Sequence, residues 1–73
     1  MSSIGAMIRE RRRSLGLTLQ QVADRVGCGR AYLSMIETGA RPTPGEALLD
    51  ALERVLGVER GQLVEAARWE ATP

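Results

Sequence analysis

Apolar residues recur along this chain at intervals of three and four, the spacing that lines one face of an α-helix, and no segment alternates as a strand would. Gly and Pro residues separate the periodic segments. The pattern predicts five helices, which run over about 3–15, from a cap at Thr18 to Gly27, over 30–38, from a cap at Thr43 to about 56, and over about 59–69. We therefore expect an all-α fold.

Two of the predicted helices have marked start signals. Thr18 and Gln21 are spaced as a capping box, in which each side chain accepts from the backbone N–H of the other residue. Farther along, Thr43, Pro44 and Glu46 supply a capping hydroxyl, a proline at the first helical position and an acid at the third. The helices that follow should begin at these residues.

The apolar stripes indicate which side chains enter the core and which face outward. The first helix presents Ile4, Met7, Ile8 and Leu15. The third buries Leu33 and Ile36, with Tyr32 at the margin of the stripe. Four of its residues are left on the outer face, namely Arg30, Ala31, Ser34 and Met35.

The second and third helices have the spacing of a helix-turn-helix. Counted from Leu19, Ala23 is the fifth residue, Gly27 the ninth, Leu33 the fifteenth and Ile36 the eighteenth. A small residue at the fifth position lets the two backbones approach, and a glycine at the ninth can take a positive φ. Leucine and isoleucine then anchor the second helix of the pair to the core.

Length and composition narrow the class of protein. Its 73 residues leave room for one domain, which we expect to be a helix-turn-helix domain over 1–69 with a frayed tail over 70–73. Neither a membrane-spanning run nor a secretory signal is present, so we expect a cytoplasmic protein without a membrane partner. With no His and Cys28 as its single thiol, the chain predicts no disulfide and no metal site.

Charge is unevenly distributed although the net charge is only +1. Residues 1–41 carry seven Arg against three acids, a net +4, and residues 42–73 carry three Arg against six acids, a net −3. The first half is therefore polarised towards an anion. A polyanionic partner and an ordinary solvated surface both fit this asymmetry.

The chain resembles the Cro and lambda-type phage repressors, also called the xenobiotic-response-element family. The resemblance extends from about Ile4 to Leu63. Its residues are Leu15-Gly16-Leu17-Thr18, Val22-Ala23, Gly27, Tyr32-Leu33-Ser34, Ile36-Glu37-Thr38-Gly39 and Pro44. The resemblance implies a five-helix lambda-repressor-like domain that binds double-stranded DNA as a homodimer, with the third helix in the major groove. The implied function is a sequence-specific transcriptional regulator at a two-fold symmetric operator. Repression is the expected mode and activation is left open, because the sign depends on where the site lies relative to the promoter.

The same resemblance implies which residues read bases. Arg30 falls at the leading position, where its planar fork can donate to guanine O6 and N7. Ala31 and Met35 would offer apolar surface to thymine methyl groups, and Ser34 would offer a hydroxyl. The alternatives are a phosphate contact or solvated arginine for Arg30, and exposed filler for the other three.

Phosphate contacts are implied in three regions. At the start of the second helix, free amides and the helix dipole favour an anion. Most family members carry Gln where this chain has Leu19, so a backbone amide or Gln20 must act there. The expected phosphate-contacting residues are Thr18, Leu19, Gln20, Tyr32, Thr38, Arg41, Thr43 and, as a weaker candidate, Arg13.

Two further roles follow from the family pattern. Arg12 and Glu37 match a structural ion pair that neutralises an acid near DNA, the alternative being that both are solvated. The family pairs through the C-terminal part of the domain, and here that part holds the only Trp. We expect a dimer interface near 57–60 and built from Leu63, Val64, Ala67 and Trp69, unless Trp69 folds back onto its own subunit.

Other functions have less support. The chain has no His, no paired carboxylates in an identifiable pocket and no phosphate-binding glycine loop, so we expect no enzyme activity, no cofactor and no small-molecule ligand. Cys28 as a redox sensor is a minor alternative. The main alternative function is a protein-binding module, either the antitoxin of a toxin-antitoxin pair or a transcription adaptor.

Overall fold

The computed structural model describes residues 4–42 and 44–71, without the side chains of 69–71. This part of the chain forms five helices, α1 Ile4–Ser14, α2 Leu19–Val26, α3 Arg30–Thr38, α4 Glu46–Leu56 and α5 Gln62–Ala71, and no strand. The five-helix all-α prediction is confirmed. None of these helices combines the length and the apolar character needed to cross a membrane.

The predicted start of α2 is present in full. Thr18 Oγ1 accepts from the backbone N–H of Gln21 at 3.1 Å, and Gln21 Oε1 accepts from the N–H of Thr18 at 2.9 Å. These two bonds satisfy donors that a helix start otherwise leaves free. Because both ends of the box are made, the entry to α2 is fixed locally by sequence.

The starts of α4 and α5 differ from the prediction. The N-cap of α4 is Gly45, in an extended conformation and with no side-chain cap, so Pro44 precedes the helix and Glu46 opens it. Pro44 therefore does not occupy the predicted first helical position. It is buried instead in the segment before the helix. Thr43, the predicted cap, lies outside the described residues.

A turn delays the start of α5 from about residue 59 to Gln62. Gly61 has a φ of 88°, which lies outside the α-helical region, so a helix that started near residue 59 could not continue through it. The helix then continues to Ala71, two residues into the segment expected to be a frayed tail. Residues 72–73 lie outside the described part of the chain.

Among the described residues, ten apolar side chains form the core, and all five helices contribute to it. They are Ile4, Ile8, Val22, Ala23, Leu33, Ile36, Leu49, Leu52, Leu56 and Leu63. Leu15 was expected on the α1 stripe but is 43% exposed. The helix ends at Ser14 and Gly16 takes a φ of 71°, so Leu15 leaves the helical face.

α1 approaches α3 unusually closely at Gly5. A Cβ on this glycine would overlap the carbonyl oxygens of Ile36 and Glu37, both in the last turn of α3. Gly5 is buried within α1. The absence of a side chain here therefore sets the distance between α1 and the helix that is expected to read DNA.

Candidate nucleic-acid interface

The outer face of α3 is presented at the helix start. Arg30 and Ala31 are exposed, whereas Ser34 and Met35 are half-buried. Gly29 occupies the N-cap without any side-chain hydrogen bond. The first turn of α3 is therefore the most accessible part of the predicted base-reading face, and it carries the positive charge of Arg30.

The turn between α2 and α3 has the geometry that the helix-turn-helix spacing predicts. Gly27 takes a φ of 81°, and the N–H groups of Gly27 and Cys28 both donate to the carbonyl of Ala23, at 2.9 and 3.0 Å. Ala23 is fully buried. Burial raises the pKa of the Cys28 thiol, which disfavours the reactive thiolate that a redox sensor needs.

At the start of α2 the side chains are already engaged. The Thr18 hydroxyl belongs to the capping box, and Gln20 Nε2 donates to Asp24 Oδ1 at 2.8 Å. Leu19 is half-buried and packs against the core. The Leu19 side chain packs against the protein and is not directed at a phosphate. Any phosphate contact of Leu19 would therefore use its backbone amide.

Arg12 and Glu37 form a two-pronged ion pair. Arg12 Nε lies 2.8 Å from Glu37 Oε2, and its Nη2 lies 3.0 Å from Oε1. Arg12 Nη1 also donates to the carbonyl of Leu17 at 3.0 Å. The hydrogen bond to Glu37 raises the pKa of Arg12 despite an opposing effect of burial. The pair cancels the charge of Glu37 and ties the end of α3 to α1.

The loop after α3 doubles back along the helix. Gly39 takes a φ of 82°, and the N–H groups of Ala40 and Arg41 donate to the carbonyl of Met35 at 2.9 and 3.3 Å. The guanidinium carbon of Arg41 lies over the ring of Tyr32, 5.8 Å from its centroid. This contact joins two of the predicted phosphate-binding residues.

The remaining predicted phosphate ligands are less closely grouped. Thr38 is exposed, and its hydroxyl donates to the carbonyl of Met35 at 3.2 Å. Arg13 is exposed in the last turn of α1. Thr43 lies outside the described residues. Arg13 and Arg41 are thus the exposed cations of this set.

The structure corrects one residue of the expected dimer interface. Leu63 is 1% exposed and belongs to the core of its own chain, because the N-terminal turn of α5 points it inward against the other helices. Val64 and Ala67 are half-buried. They line a groove of about 250 Å³ together with Pro44 and Leu49. The side chain of Trp69 lies outside the described residues.

Glu53 is a structural residue that the sequence pattern did not reveal. This α4 carboxylate is 3% exposed and accepts from the N–H groups of Gly61 and Leu63, both at 2.8 Å, and of Val64 at 3.3 Å. Burial alone would raise the pKa of Glu53, but these hydrogen bonds and the charge of Arg60 lower it overall. Glu53 thereby caps α5 from another helix.

Arg11 and Gly5 were also missed. Arg11 Nε donates to the carbonyl of Leu56 at 2.8 Å, which ties α1 to the end of α4. A glycine inside a helical pattern is a recognised sign of close packing, so Gly5 carried a usable signal. Arg11 gave no such signal, because a basic residue in a helical pattern is normally interpreted as solvent-exposed.

Comparison with known proteins agrees with this geometry. Residues 8–63 match the helix-turn-helix family. The uncharacterized HTH-type transcriptional regulator RghRB of Bacillus subtilis is 42% identical over 67 residues, which cover 92% of this chain and 48% of that protein. The chain thus spans about half the length of this relative.

Two solved structures share the fold. The crystal structure of SinR, a master regulator for biofilm formation, in complex with DNA aligns with a TM-score of 0.76 and 31% identity, covering 84% of this chain and 97% of that chain. The clp gene regulator ClgR from Corynebacterium glutamicum aligns with a TM-score of 0.78 and 26% identity, covering 94% of this chain and 72% of that chain. These relatives are transcriptional regulators and not enzymes. The chain therefore belongs to the helix-turn-helix family of the Cro and lambda-repressor type.

Proposed function

We propose that this domain binds duplex DNA sequence-specifically, with α3 in the major groove and Arg30 donating to base edges. The observation that carries the proposal is the contrast along α3: Leu33 and Ile36 are buried in the core, while Arg30 at the helix start is exposed. A helix anchored in this way presents its first turn rigidly. A fixed backbone position limits where the Arg30 fork can reach, which favours bidentate recognition of guanine.

Ala31, Ser34 and Met35 complete the proposed base-reading face. Ala31 is the exposed member, and the half-buried Ser34 and Met35 lie farther along the helix. We assign Ala31 and Met35 to apolar contacts with thymine methyl groups and Ser34 to a polar contact. Neutralisation of Glu37 by Arg12 supports this orientation, since it removes a negative charge from the end of α3.

The proposed phosphate contacts come from residues outside this face. Arg41 and Arg13 are exposed cations, and the first amides of α2, near Thr18 and Gln20, favour an anion through the helix dipole. These contacts would fix register without reading sequence. Binding should therefore weaken steeply with salt, by about 10³ to 10⁵ in affinity between 50 and 200 mM for a dimer that neutralises roughly 6–10 phosphates.

Selection of bound duplexes from a random-sequence pool tests DNA binding, base preference and half-site spacing together. We expect a two-fold symmetric consensus, with a guanine in each half-site that depends on Arg30. Titration of the selected duplex across salt concentrations then measures the electrostatic contribution. A flat salt response, or no enrichment, would contradict the proposal and favour the protein-binding alternative.

We propose further that two copies pair through α5. One recognition helix contacts too few base pairs to select a site among about 10⁶ or more competing positions in a genome, so two half-sites are needed. With Leu63 assigned to the core, the proposed surface comprises Val64, Ala67 and Trp69. The adjoining groove, walled by Pro44, adds apolar area.

Ala67→Glu tests the interface, with Ala47→Glu as its control. Ala67 is half-buried on α5, whereas Ala47 is exposed on α4, so the same charge enters two different surfaces. Sedimentation should show a dimer for the parent and for Ala47→Glu, and a folded monomer for Ala67→Glu. A dimeric Ala67→Glu would place the interface elsewhere.

Repression is the regulatory mode we propose, because a dimer bound over a promoter excludes other proteins from it and needs no further contact. The test places the selected duplex sequence within a reporter promoter. Expression should fall when the protein is supplied and stay high with Arg30→Ala. A rise in expression would assign activation instead.

A further inference from the structure

Tyr32 and Arg41 join α3 to the loop that follows it. The Tyr32 side chain is half-buried and packs against the core, whereas Arg41 is exposed. The Arg41 guanidinium carbon lies over the ring at 5.8 Å from the centroid, within the range of a cation–π interaction. An exposed, flexible cation is therefore restrained by a ring that the core holds in place.

The backbone explains why these two residues meet. At Gly39 the chain takes a positive φ of 82°, and the Met35 carbonyl accepts from the N–H of Arg41 at 3.3 Å. The chain consequently reverses beside the last turn of α3. The long Arg41 side chain then extends back along the helix to the ring of Tyr32.

We propose that Tyr32 is a positioning residue for DNA binding, whose ring holds the Arg41 guanidinium against the sugar–phosphate backbone next to α3. The inference rests on the DNA-binding function proposed above and deepens it. It also differs from the sequence prediction, in which Tyr32 itself contacts a phosphate. Here the ring face acts on Arg41 and the Tyr32 hydroxyl is not required.

The charge of Arg41 remains available for this role. Among the described residues, Arg41 forms no salt bridge. A guanidinium that rests on an aromatic ring keeps its N–H donors for a phosphate. Restraining the side chain before binding reduces the conformational entropy that is lost when the phosphate is bound.

The expected effect is modest and measurable. Exposed cation–π contacts correspond to about a two- to fivefold change in an equilibrium constant. Loss of the ring should therefore weaken binding by about that factor per protomer. Loss of Arg41 should weaken it more, because the phosphate contact disappears as well.

A double-mutant cycle on duplex binding tests the proposal. The probe is a short fluorescent duplex of fixed arbitrary sequence at low salt, followed by anisotropy, and the variants are Tyr32→Phe, Tyr32→Leu, Arg41→Ala and the Leu/Ala double variant. We expect Phe to bind like the parent and Leu to bind about two- to fivefold more weakly for each bound protomer. In the Arg41→Ala background the leucine substitution should have no further effect.

Two outcomes would overturn the inference. Weakened binding by Tyr32→Phe would assign the role to the hydroxyl, and an equal effect of leucine with and without Arg41 would show that the residues act independently. If parent protein fails to bind the duplex, the proposed function itself fails. A parent that binds while the cycle is additive removes only the role of Tyr32.

The fold is checked separately, because Tyr32 also packs against the core. Thermal unfolding identifies variants that have lost stability, and Tyr32→Met replaces leucine if that variant does not fold. In the free protein, NMR should show the Arg41 δ-methylene protons shifted upfield by the ring. The shift should persist in Tyr32→Phe and vanish without a ring; its absence in the parent would contradict the contact.

Discussion

Glu53→Gln should destabilise this domain more than any exposed carboxylate-to-amide change. Each Glu53 oxygen accepts one short bond, Oε1 from the N–H of Gly61 and Oε2 from that of Leu63, both at 2.8 Å. Glutamine keeps one acceptor and turns an N–H₂ donor towards the other backbone N–H. The start of α5 would then lose one of these two hydrogen bonds, and the acceptor of the other would no longer be charged.

The magnitude follows from these two bonds. A hydrogen bond to a charged group contributes about 1.5–3 kcal/mol and a neutral one about 0.5–1.5 kcal/mol. Losing one bond and weakening the other predicts a loss of about 2–4 kcal/mol in the free energy of unfolding. For a domain of this size that corresponds to a fall of roughly 10–30 °C in Tm.

The loss should depend on pH in a defined direction. Because the folded-state pKa of Glu53 is lowered, its ionised form contributes stability above the unfolded value of about 4.3, and that stability is lost as the pH falls through the folded value. Parent and Glu53→Gln should therefore differ fully at pH 7, and the difference should begin to shrink as the pH falls below the unfolded value.

Urea unfolding at neutral and acid pH measures both effects. Glu10→Gln is the matched control, since Glu10 is exposed on α1 and should change stability by no more than about 0.5 kcal/mol. The reasoning is refuted if Glu53→Gln unfolds like this control at pH 7. If the difference in unfolding free energy between parent and Glu53→Gln stays constant down to acid pH, the charge of Glu53 does not contribute to the cap and only a packing role remains.

Three further substitutions test other parts of the structure. Gly5→Ala should cost about 1–3 kcal/mol of unfolding free energy by overpacking α1 against α3, whereas an unchanged or higher Tm would contradict the close approach. Arg12→Ala should cost about 3–5 kcal/mol because it leaves the Glu37 carboxylate buried without its partner; exposed Arg9→Ala is the control, and equal urea midpoints would argue against a structural pair. Arg30→Ala should cost about 1–3 kcal/mol at one base position per half-site, and a selection profile with uniform weakening would instead make Arg30 a phosphate ligand.

Local patterns accounted for much of the fold because their causes lie within a few residues. The capping box of Thr18 and Gln21 and the positive φ of Gly27 are properties of short segments, and both were predictable. Helical periodicity likewise placed Leu33 and Ile36 in the core and left Arg30 outside. Thus the sequence alone determined five helices and the position of the helix-turn-helix.

Tertiary packing decided what depends on residues far apart in the chain. The α5 start follows from the carboxylate of Glu53, an α4 side chain that reaches backbone amides of another helix. The same start places Leu63 in the core, although its helical periodicity fitted an interface equally well. The restraint of Arg41 by Tyr32 exists only because the loop after α3 reverses. Periodicity specifies which face of a helix is apolar, whereas the neighbouring elements determine what covers that face.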